Sequence, residues 1–98
     1  RPVTLTGSVT KVEWTNPHAW FYLDVKGAGG EVQGWAVEIV SANGLLRRGW
    51  TRETVKVGDV ITVEGFGSRD GTNTANASAV IRPSSGERLW DSAPADRN

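Results

Sequence analysis

The 98-residue sequence contains no cysteine and no methionine. The first absence removes both a disulfide framework and a thiolate zinc site. The two together leave no readily oxidised sulfur, which suits an exported protein. The chain begins at Arg1 rather than at a methionine, so a processed or trimmed start is expected, and no signal peptide is visible. Net charge is missing too: eleven Lys and Arg offset eleven Asp and Glu. Nucleic-acid binders rely on clustered positive charge, so this balance argues against a nucleic-acid partner. No apolar run comes near the roughly 20 residues of a membrane-spanning helix. Imidazole is scarce, with His18 as its sole source.

What the chain does have is five tryptophans and twelve glycines. Its length suits one small domain, read as residues 1–90 with a polar tail over 91–98. Strand patterns dominate. Val3, Leu5 and Val9 share odd positions in the first strand, Thr4 to Trp14, whereas Val12 and Trp14 share even ones. A strand has period two, so this change of phase predicts a bulge. Pro17 makes residues 15–18 a tight connection. From Ala19 to Lys26, Phe21, Leu23 and Val25 form one face, and Trp20, Tyr22 and Asp24 the other. Gly27–Gly30 reads as a hairpin loop before a third strand, Val32 to Val40, in which Trp35, Val37 and Ile39 oppose Ala36 and Glu38.

Ser41 is placed to cap a short helix ending at Arg48, with Gly49 as its C′ residue and Trp50 folding back on it. Val60–Gly67 and Thr74–Arg82 are the fourth and fifth strands, and Glu87–Trp90 a short extension. Three meandering strands, a helix and two more strands is the order of an OB-fold. The expected fold is therefore all-β, a five-stranded Greek-key barrel with one helix between strands three and four.

The stretch from Pro2 to Trp20, with its Trp14-Thr15-Asn16-Pro17-His18 string, resembles the opening block of bacterial domain-of-unknown-function family 6152. Leu45–Arg52 and Asp70–Ala77 are similar to later blocks of that family. The resemblance implies a small exported bacterial protein with no assigned activity. Its members carry a His-rich stretch after the signal peptide, which is absent from these residues.

No catalytic constellation emerges. No serine sits in a nucleophile elbow, and neither Gly27–Gly30 nor Gly65–Gly67 has phosphate-loop spacing. A non-catalytic protein without a cofactor is expected. In an OB barrel, ligands dock on the outer face of strands two and three. Asn16, His18, Trp20, Tyr22 and Trp35 are accordingly the candidate contacts for an unknown small ligand or protein partner. The other reading of these rings is a second minor core beneath Leu89 and Trp90. A different class of function is a self-associating structural subunit, which zero net charge permits. Weaker still is a copper or zinc site through His18, since the chain offers only carboxylates such as Glu13 and Asp24 to complete one. Arg47, Arg48 and Arg52 form one basic cluster near the helix C-terminus, where cations complement the helix dipole.

Overall fold

A computed structural model describes residues 1–92. Of the expected polar tail, residues 93–98 lie outside that range. The elements are β1 (Pro2–Glu13), β2 (Ala19–Lys26), β3 (Val32–Ile39), α1 (Ala42–Arg47), β4 (Val60–Gly67), β5 (Thr74–Arg82) and β6 (Glu87–Asp91). β1 pairs with β4 through its first half and with β2 through its second. β4 pairs with β5, and a short parallel match of Ala36–Glu38 with Thr74–Asn76 joins β5 to β3 and closes the five-stranded barrel. This is the OB arrangement. β6 adds a sixth strand to the free side of β5.

The phase change in β1 is a bulge: the register with β2 shifts between Val9 and Lys11. It lets Leu5 and Val9 before it, and Val12 after it, all turn toward the core. Gly7 sits where β1 pairs with both neighbours, and a Cβ there would run into the Asp24 carbonyl. A side chain would therefore force the two strands apart.

α1 plugs the barrel, and its ends explain its length. Ser41 Oγ accepts from Gly44 N–H at 3.0 Å, the Thr15 carbonyl accepts from Ala42 N–H, and Asn16 Oδ1 accepts from Asn43 N–H at 3.1 Å. The β1–β2 loop thus satisfies N–H groups that the helix itself cannot. At the other end Gly49, at φ +89°, supports a Schellman motif, with Trp50 N–H bonded to Leu45 O and Gly49 N–H to Leu46 O. Trp50 then stacks on Phe21 at 6.0 Å between ring centroids, and its Nε1–H donates to Leu89 O at 2.9 Å. Phe21, Leu23, Val37, Leu45, Ile61 and Val63 are almost wholly buried around it.

Candidate functional site

Alternation along β2 turns Ala19, Phe21 and Leu23 inward and leaves Trp20 and Tyr22 half-buried on the outside. The registers then fix their neighbours. Trp20 lies between Glu13 of β1 and Glu38 of β3, Glu38 is opposite Asn76 of β5, and Asn76 is opposite Phe66 of β4. One row of outward side chains therefore runs Glu13–Trp20–Glu38–Asn76–Phe66 across five strands. A second row places Tyr22 between Lys11 and Ala36, with Thr74 beyond.

The polar members of these rows are held by one another. Tyr22 Oη–H donates to Glu13 Oε1 at 2.8 Å, and Lys11 Nζ lies 3.4 Å from Glu13 Oε2 and 5.4 Å from the Tyr22 ring centroid. This bond holds the Glu13 carboxyl below its ordinary range and pushes the Tyr22 phenol above its own. Asn76 Nδ2–H donates to Glu38 Oε1 at 3.0 Å, while His18 Nδ1 lies 3.6 Å from Glu38 Oε2 and 3.3 Å from the Ile39 carbonyl oxygen. Two grooves follow the same line. One of about 370 Å³ is lined by residues including His18, Phe66, Asn76 and Trp90, and one of about 300 Å³ by residues including Glu38, Phe66, Thr74 and Asn76.

Of the five residues singled out from sequence, Trp20, Tyr22 and His18 thus share one face. The other two do not share it. Asn16 spends its carbonyl on the helix N-terminus. Trp35 is opposite Leu23, on the inward side of β3, packed against the core. Its phase matches Val37 and Ile39, as the alternation of β3 had already placed it. Leu89 and Trp90 do not form a second core over the outer rings; they join the main one, with Trp90 buried. Glu38, Asn76 and Phe66 are the members that sequence reasoning left out. Glu38 is brought beside Trp20 by the β2–β3 register, and the β3–β5 pairing then adds Asn76 and Phe66 to the row.

The basic cluster divides. Arg48 Nη2–H donates to Asp91 O at 2.9 Å and its guanidinium lies 5.6 Å from the Trp90 ring, whereas Arg52 lies 6.0 Å from the ring of Trp14. In the β4–β5 turn, Asp70 accepts from the hydroxyls of Ser68 and Thr72 and from Thr72 N–H. These bonds, that from Ser68 first, bring its carboxyl down to about 2. Among the described residues, no three His, Cys, Asp or Glu side chains gather closely enough to hold a metal ion. No described helix is long and apolar enough to cross a membrane.

Comparison with known proteins adds two findings. The model of a family of unknown function (DUF6152) matches residues 1–77. Among solved structures, the mitochondrial single-stranded DNA binding protein Rim1 of S. cerevisiae is similar, with a TM-score of 0.59 and 12% identity over 93% of this chain and 96% of that one. Identity that low speaks for the fold alone: an OB-like barrel of the kind found in a binding protein. No curated protein matches the chain significantly.

Proposed function

We propose that this chain, which belongs to the DUF6152 family, is a non-catalytic, exported binding module that takes a small ligand on the outer face of β2 and β3. The observation that carries this reading is the row of Trp20, Glu38, Asn76 and Phe66, in which two aromatic rings flank a hydrogen-bonded carboxylate and amide. Ligand sites commonly combine apolar surfaces with a few fixed polar groups. Here the rings offer faces for stacking, and Glu38, Asn76 and His18 offer acceptors and donors between them. A neutral, hydroxyl-rich ligand with apolar ring faces, such as a saccharide, fits that chemistry.

Charge separates this ligand from the nucleic acid suggested by the structural likeness to Rim1. The outer face carries three carboxylates, Glu13, Asp24 and Glu38, against two cations, Lys11 and Lys26. Phosphodiester backbones bind where cations are in excess, so this surface opposes them. The absence of cysteine and methionine supports an exported setting. The test is a titration of the ¹⁵N-labelled protein with cellotriose and, separately, with a thymidine oligonucleotide, following the Trp20 indole signal. Cellotriose is expected to shift that signal saturably and the oligonucleotide to leave it in place. Saturable binding of the oligonucleotide at Trp20 would overturn the assignment of ligand class.

A further inference from the structure

A third groove, of about 230 Å³, is lined by Val12, Trp14, Arg52, Val55, Lys56 and Val57. It shares no residue with the grooves along the β2–β3 face. The local sequence accounts for its shape. Past the β1 bulge, Val12 and Trp14 turn toward the core yet stay only partly covered, because β1 ends at Glu13. The segment after α1 then folds against them through a hydroxyl-braced turn. Thr51 N–H bonds to Thr54 Oγ1 at 2.9 Å, and Glu53 N–H to Thr51 Oγ1 at 3.1 Å. Val55 is buried by this turn, whereas Val57 is left 64% exposed.

The charge of this groove is one-sided. Its lining includes two cations, Arg52 and Lys56, and no carboxylate. Among the described residues, neither cation has a carboxylate within ion-pair distance; the Arg52 guanidinium has only the Trp14 ring, at 6.0 Å. Three other cations do sit beside carboxylates: Lys11 by Glu13, Arg82 by Asp59 and Glu87, and Arg88 by Glu64 and Asp91. An apolar floor, a half-open indole and two cations without acidic partners are complementary to an anion that carries a flat apolar body.

From this we infer that the Trp14–Arg52–Lys56 groove is a second binding site, for a small aromatic carboxylate. The aromatic ring lies against Trp14, Val12 and Val57, and the carboxylate meets Arg52 and Lys56. Arg52 is suited to this role because guanidinium groups both bind carboxylates in a bidentate manner and stack on aromatic faces. The volume is below the roughly 300 Å³ at which drug-sized pockets begin, which sets the ligand at one or two fused rings.

The experiment titrates the ¹⁵N-labelled full chain with 1-naphthoate and with 1-naphthylmethylammonium, reading the Trp14 and Trp20 indole signals separately. 1-Naphthoate is expected to shift Trp14 saturably, and the ammonium analogue to bind at least about tenfold more weakly. The double variant R52E/K56E changes two exposed side chains, so its fold is expected to survive. It should lose naphthoate affinity by about tenfold or more, and R52Q/K56Q should fall between it and the parent. The inference is overturned if naphthoate leaves Trp14 unmoved, if it shifts Trp20 instead, or if R52E/K56E binds it unchanged. Because Trp14 and Trp20 report independently, failure here is distinguishable from failure of the saccharide reading.

Discussion

β2 divides two aromatic environments that begin one residue apart. On its inner side Phe21 is fully buried against Trp50, whose indole N–H is bonded to Leu89 O. On its outer side Trp20 and Tyr22 are half-buried and bordered by Glu13, Glu38 and Lys11. Residue type is nearly the same on both sides, so composition cannot distinguish them. What differs is the partner supply: the inner side is closed by a helix cap, and the outer side is left with polar neighbours that can also bond to something else. Backbone phase therefore decides which of the two environments each ring enters.

The comparison breaks most severely on the inner side. Trp50→Ala empties the space between α1 and Phe21 and strands the Leu89 carbonyl, so a loss of about 3–5 kcal/mol is expected in urea unfolding. A smaller change acts on the same side through the helix. Ser41→Ala removes the acceptor for Gly44 N–H, and should cost about 1 kcal/mol in the same assay.

The smallest effect sharpens the contrast through pH. Among the described residues the buried set includes no polar or charged residue, so the inner side adds no pH dependence. The outer side does, through Tyr22 and Glu13. Glu13 is held below its unfolded value by the Tyr22 hydroxyl, so its stabilisation is present above about pH 4.3 and is lost as pH falls through the folded value. Tyr22 is pushed upward by the same bond, so its stabilisation is present below about pH 10 and is lost as pH rises through the folded value. Tyr22→Phe should flatten both edges of the stability profile, measured by thermal unfolding across pH.

The same division shows what a sequence can and cannot carry. β2, β4 and β5 begin and end where alternation placed them, because period two is a local signal. The bulge was legible as a change of phase, and both helix ends as Ser41 and Gly49-Trp50. β1 and β3 differ at their ends: β1 runs from Pro2 to Glu13 rather than from Thr4 to Trp14, and β3 stops at Ile39. β6 was visible only as a short extension, since within it Trp90 is the one fully buried residue.

The candidate site was harder because it is built by long-range pairing. Glu38 and Asn76 meet only through the parallel β3–β5 contact, which leaves no local trace. Asn16 is withdrawn from the β2–β3 face by a helix residue 27 positions away. Trp35 was the one misplacement that its own strand could have prevented, for its neighbours two and four positions on are core residues.

The most direct test of the division is a cellotriose titration of the double variant Trp20→Ala, Tyr22→Ala, read by calorimetry beside the parent protein and checked by circular dichroism. The account predicts a folded variant, with its inner core intact, that has lost the binding heat. A folded variant that binds cellotriose as the parent does would contradict it, as would a variant that unfolds because those rings hold the barrel together.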